Sequence, residues 1–139
     1  MLHVNILVHV HTVGLRRDVD VFRRALRGLP VRVSVTAFDP AWRPRIVRGI
    51  RRATGTIRRK PIYDVNLFVE EIVDGWIPLA RVNCLVPHQE WFGDETRVLV
   101  PRMDWLVCKT QFAVQRFQSL APRTAFTGFT TIDRYDPTV

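Results

Sequence analysis

Four short runs constrain this chain more than any other feature: "VNILVHV" (4–10), "YDVNLFV" (63–69), "VNCLVP" (82–87) and "DWLVC" (104–108). Each is apolar almost throughout and rich in β-branched or aromatic residues. A strand with one face in water alternates apolar and polar residues; these do not. They fit strands covered on both faces, as in a parallel sheet with helices on either side. "VRVSVTAF" (31–38) does alternate, which suits an edge position or a strand with one poorer-covered face. "RTAFTGF" (123–129) supplies a sixth strand.

The segments between the strands carry helical spacing. After a loop "HTVGLRR", Asp18 can cap a helix with Phe22, Ala25, Leu26 and Leu29 on one face, ended by Gly28 and Pro30. Trp42, Ile46, Val47, Ile50 and Ala53 mark a second helix, broken by Gly55. "DGWIPLARV" is a short crossover, with a helical turn on either side of Pro78. "GDETRVLVPRM" holds a short helix stopped near Pro101, and Thr110 can cap "QFAVQRFQSL", burying Ala113, Phe117 and Leu120. Strands alternating with helices or short crossovers predict an α/β fold: a Rossmann-like parallel sheet of about six strands with helices on both faces.

At 139 residues the chain suits one domain with a real core. No apolar run approaches the roughly 20 residues of a membrane span, and "MLHVNILVHVH" has no basic leader region. Cys84 and Cys108 each end an apolar run and read as buried thiols of a reducing compartment, with a disulfide between them as the alternative that nothing in the sequence supports. No cysteine–histidine cluster has zinc-site spacing. His9 and His11 share a strand face but lack a third ligand, so no metal is expected. No GxGxxG or P-loop is present. The expected location is the cytoplasm, either free or attached to a membrane only at its surface.

In an open parallel sheet, ligands bind at the carboxyl ends of the strands. That rule draws attention to Gly14 after the first strand, Asn66 within the third and Glu70 after it. It also points to His88, Gln89, Glu90 and Trp91 after the fourth, Lys109 and Thr110 after the fifth, and Thr131 after the sixth. Pro87 makes "HQEW" a strand-to-loop corner. Histidine can move a proton near neutral pH, amide and carboxylate suit sugar hydroxyls, and an indole offers a face to a ring. The plainer alternative is that His88 and Glu90 satisfy loop backbone while Trp91 packs. Gly14 lets backbone approach a ligand, or is an ordinary turn residue. Lys109 before a capped helix suits an anion, or is a solvated lysine.

The charge is local. Arg43, Arg45, Arg48, Arg51, Arg52, Arg58, Arg59 and Lys60 lie between Ala41 and Ile62 with no acid among them. Elsewhere basic and acidic residues balance, so the whole net charge of +8 belongs to this segment. A solvated face, docking to anionic lipid headgroups with Trp42 and Ile46 in the interface, and nucleic-acid binding all remain open. Nucleic acid is the least supported, because no aromatic RNA-recognition motif or helix-turn-helix signature is present.

The order of motifs resembles the N-terminal domain of GT-B-fold glycosyltransferases of the group 1 (family 4) type. "YDVNLFVE" is similar to that family's Asp-led strand, with Asn66 near the usual His. "CLVPHQEW" resembles its His corner, with His88 in place. "MDWLVCKT" resembles its next strand, with Lys109-Thr110 where a serine is usual. "GFTTIDRYDP" resembles its closing strand and hinge, from Gly128 to Pro137. The resemblance implies an acceptor-side domain over residues 1–134, the start of an interdomain linker at 135–139, and a donor-binding C-terminal domain beyond these residues or on a split subunit.

By the same resemblance, a hexosyl group passes from a nucleotide-sugar to a glycan or lipid-linked acceptor, with no further cofactor and no metal. His88 would touch acceptor or donor sugar, and the Gly14 loop would lie near the donor phosphates. Thr131, Asp133 and Arg134 would begin the hinge, and the basic helix would hold a membrane-bound or anionic acceptor. This half alone would not be a competent enzyme. The competing expectation is a non-catalytic basic module for a membrane surface or nucleic acid.

Overall fold

The computed structural model describes residues 1–9, 13–38, 60–88, 90, 92–121 and 123–128. Among these residues six strands, all parallel, form one sheet: β1 (Leu2–His9), β2 (Val31–Phe38), β3 (Tyr63–Val69), β4 (Ala80–Val86), β5 (Trp105–Cys108) and β6 (Thr124–Phe126). Their order is β2-β1-β3-β4-β5-β6, with β2 and β6 at the edges. The fold is α/β and Rossmann-like. The strand order reverses direction between β1 and β3, which makes that point of the carboxyl edge the topological switch.

Both faces of the sheet carry apolar clusters. On one face, Leu7, Phe68, Leu85 and Leu106 pack with Phe117 and Ala113 from α3 (Gln111–Phe117) and with Val100 and Met103. These last two follow α2 (Asp94–Leu99). Ile72, Val73 and Ile77, from the segment leading into the 3₁₀ helix Asp74–Leu79 and from that helix itself, complete this layer. On the other face, Ile6, Val8, Leu67, Val69 and Val86 pack with Leu15 and Val19 of α1 (Val13–Ala25). Central strands are apolar on both parities because each parity meets a different layer.

The first helix differs from the sequence expectation. It starts at Val13, not at Asp18. Its buried stripe therefore runs through Leu15 and Val19 to half-buried Phe22 and Leu26, while Ala25 and Leu29 are exposed. Asp18 is inside the helix and 8% exposed, so it cannot act as the N-cap. Gly14 likewise lies in the first turn of α1 rather than in a loop. At α3 the expected cap is present: the Thr110 side chain accepts a hydrogen bond of 3.0 Å from Ala113 N–H.

A polar layer crosses the sheet inside the first core. Asn5, Asn66 and Asn83 are in register on β1, β3 and β4. Asn5 Nδ2 donates to Asn66 Oδ1 (3.3 Å), and Asn66 Nδ2 donates to Asn83 Oδ1 (3.2 Å). Thr36 Oγ1 donates to Asn5 Oδ1 (2.9 Å). The far end holds the 3₁₀ helix: Asn66 Nδ2 also donates to the Trp76 carbonyl (2.8 Å), and Asn83 Nδ2 to the Ile77 carbonyl (3.1 Å). These carbonyls are turned into the protein, so amide side chains replace the water they would otherwise need.

At the amino edge, two aspartates continue the ladder. Asp64 Oδ2 accepts from His3 N–H and Asp104 Oδ2 from Asn83 N–H, each at 2.8 Å.

Candidate functional site

The chain leaves β3 through a tight turn. Glu71 N–H donates to the Val69 carbonyl (2.9 Å), a three-residue turn centred on Glu70. Glu70 has φ 68°, the one positive φ outside glycine among the described residues. A γ-turn with positive φ at its centre is rare and strained. Glu70 is pinned there because its own N–H donates to the Val86 carbonyl (2.9 Å). The turn thereby re-aims the side chain at the moment the strand ends.

The Glu70 carboxyl sits among other charges. Its pKa is raised above the usual carboxylate value, first by burial; His88 and Lys109 pull it down, and Asp18 and Glu71 push it up. These five residues come from three strand ends and one helix. Glu70 and Glu71 follow β3, His88 follows β4, Lys109 follows β5, and Asp18 rides on α1. Lys109 Nζ forms an ion pair with Asp18 Oδ2, with only 16% and 12% of the two side chains exposed. This pair ties α1 to the loop after β5. It also keeps a cation beside Glu70 that a wholly apolar wall would not supply.

His88 is half-buried at the end of β4, two residues after Val86. Glu90 N–H lies 3.4 Å from His88 Nδ1 and can donate to it. That contact leaves Nε2 as the ring atom that carries the proton in the neutral form. Glu90 itself is exposed.

The structure brings together Glu70, His88 and Lys109 of the expected site. Thr110 is spent as the α3 cap. Gly14 contributes helix backbone on the same face as Asp18. Asn66 is not at the edge: its side chain is fully buried and hydrogen-bonded within the asparagine ladder, four residues before Glu70. Gln89, Trp91, Thr131, Asp133 and Arg134 lie outside the described residues, as do His11 and the basic run from Arg43 to Arg59. Lys60, the last of that run, is exposed just before β3.

Two participants were missed in the sequence. Asp18 has the chemistry of a cap, yet its spacing from Leu15, Val19 and Phe22 sets it beside the buried stripe. The ladder was signalled by a recurring Val-Asn-apolar triplet in "HVNIL", "DVNLF" and "RVNCL".

Cys84 and Cys108 are free thiols. They point to opposite faces of neighbouring strands, and burial pushes the Cys84 thiol up to about 11, with Asp104 adding to the shift. No described helix is long and apolar enough to cross a membrane. Among the described residues no group of three or more His, Cys, Asp or Glu side chains could hold a metal ion. No family model, curated protein or solved structure matches the chain at a significant level.

Proposed function

We propose that the chain is the acceptor-side, Rossmann-like half of a GT-B glycosyltransferase, and that its carboxyl edge binds a hydroxyl-bearing glycan or lipid-linked saccharide. The observation that supports this reading is the strained turn at Glu70, whose carboxyl lies within electrostatic reach of His88 and of the paired Lys109 and Asp18. A half-buried carboxylate with raised proton affinity is suited to accept a hydrogen bond, or a proton, from a sugar hydroxyl. The protonated Nε2 of His88 supplies a hydrogen-bond donor near it. In this reading a second Rossmann-like domain faces the edge and brings the nucleotide-sugar; Lys109 helps balance charge in the cleft without a metal.

The test is a titration of the isotopically labelled chain with a panel of alkyl glycosides, followed by amide chemical shifts. Saturable shifts centred on Glu70, His88 and Lys109, lost in Glu70→Gln and His88→Ala, are the expected result. A panel that leaves this edge unmoved would count against an acceptor site.

A further inference from the structure

The opposite edge of the sheet has a different character. Strands β2, β1 and β3 begin side by side there: Leu2 pairs with Val31, and the β1–β3 register of Val4 with Val65 sets Met1 level with Ile62. The side chains at these starts are large, apolar and in water. Met1 is 90% exposed, Leu2 56%, Leu29 55% and Ile62 60%. Single exposed apolar side chains are ordinary, but four gather at this end of the sheet, with Leu2 beside Val31 on one face and Met1 level with Ile62 on the other.

The patch has a cationic groove at its side. The end of α1 and the start of β2 flank an open groove of ≈ 300 Å³ lined by Arg23, Leu26, Arg27, Leu29, Val31 and Val33. Arg24, Arg32, Lys60 and Arg81 are exposed around the same end. The acid at these strand starts is Asp64, which is occupied: one oxygen accepts from His3 N–H and the other lies 3.6 Å from Arg81. Apolar side chains beside cations that outnumber Asp64 match the layered chemistry of an anionic bilayer. Headgroup phosphates lie outermost, and the acyl boundary lies a few ångströms deeper.

We infer that the amino edge of the sheet docks on an anionic lipid surface. Met1, Leu2, Leu29 and Ile62 enter the interface, and Arg23 and Arg27 take a headgroup phosphate in their groove. The surface is separate from the carboxyl-edge site and does not depend on that site's function. Docking by this edge turns the carboxyl edge towards the aqueous side, which favours a soluble glycan over a lipid-linked saccharide as its ligand. An acidic protein partner would also be drawn to the arginines, but it would not call for four apolar side chains at this end of the sheet.

The test uses the 139-residue chain and sedimentation with vesicles of phosphatidylcholine containing about one third phosphatidylglycerol. Binding is expected to the mixed vesicles, to weaken with added salt, and to be negligible with pure phosphatidylcholine. Arg23→Glu/Arg27→Glu should lower the partition coefficient at least tenfold, since each basic residue near such a surface is worth about fivefold. Ile62→Ser/Leu29→Ser, which adds no charge, should lower it as well. A thermal melt of each variant separates loss of binding from loss of fold, and the two variants fail independently.

The inference is overturned if the chain ignores anionic vesicles. It is also overturned if folded Arg23→Glu/Arg27→Glu and Ile62→Ser/Leu29→Ser bind undiminished while Arg43→Glu/Arg45→Glu/Arg48→Glu does not. Loss of glycoside shifts at Glu70 would leave it intact.

Discussion

Replacing Asn66 with alanine should be among the most damaging single changes in the sheet. The Asn66 side chain makes three hydrogen bonds in a fully buried setting: to Trp76 O at 2.8 Å, to Asn83 Oδ1 at 3.2 Å and from Asn5 Nδ2 at 3.3 Å. Truncation removes one partner from each and leaves a carbonyl, an amide oxygen and an amide nitrogen in the core. Each orphaned group costs about 1–3 kcal/mol. Taking the low end for the two longer bonds and the middle for the short one gives about 4 kcal/mol.

That is a large share of the roughly 5–15 kcal/mol expected of a domain this size. With a urea dependence of about 2 kcal/mol per molar, the unfolding midpoint should fall by about 2 M. Urea titration followed by far-ultraviolet circular dichroism measures it. A second arm tests the connectivity: Asn83→Ala should cost less in the Asn66→Ala background than alone, because Asn83 Oδ1 has already lost its donor. A midpoint drop under about 0.5 M, or strict additivity of the two changes, would refute the ladder as a structural element.

Other expectations concern the carboxyl edge. Glu70→Gly should stabilise the fold by about 0.5–1 kcal/mol, because glycine accepts positive φ without a Cβ penalty but loses more chain entropy; equilibrium unfolding reads it, and destabilisation would contradict the strain. Glu70→Gln should also stabilise at neutral pH. The folded-state pKa of Glu70 is raised, so its stabilising contribution is full below pH 4.5 and is lost as pH rises through the folded value. The advantage of Gln over Glu should therefore vanish in acid, and an advantage that grows in acid would reverse the sign. Lys109→Met should cost about 3 kcal/mol by leaving Asp18 buried and unpaired, and Asp18→Leu in the same chain should recover most of that in a thermal melt. The Cys84 thiol, held up to about 11, should resist alkylation at pH 8 in the native state and react once the chain is unfolded.

Much of this architecture was legible in the sequence. The runs around Ile6, Phe68, Leu85 and Leu106 are apolar on both parities, and each parity does meet its own layer. The alternation of 31–38 suited an edge strand, and β2 is one. Thr110 stood where a cap belongs and is one. Helix α1 was misplaced by one element of chemistry: an aspartate looked like a cap, but the buried stripe from Leu15 and the pull of Lys109 put it in the helix interior. Cap propensity is worth about 1 kcal/mol and yields to such packing. The candidate site was half legible. The carboxyl-edge rule found Glu70, His88 and Lys109, yet it also drew in Asn66, whose side chain is committed to the sheet. It missed Asp18, which is distant in sequence from all of them.

The sequence by itself determined the parallel α/β layering, the edge that carries polar strand ends, and the segment that holds the net charge. All three follow from local composition and periodicity. Only the tertiary structure decided the strand order, the switch point between β1 and β3, the pairing of Asp18 with Lys109, and the joining of three asparagines into one ladder. Those depend on which strands become neighbours and in what register. Contacts between residues as much as 91 positions apart, as in the Lys109–Asp18 pair, have no local signature in the chain.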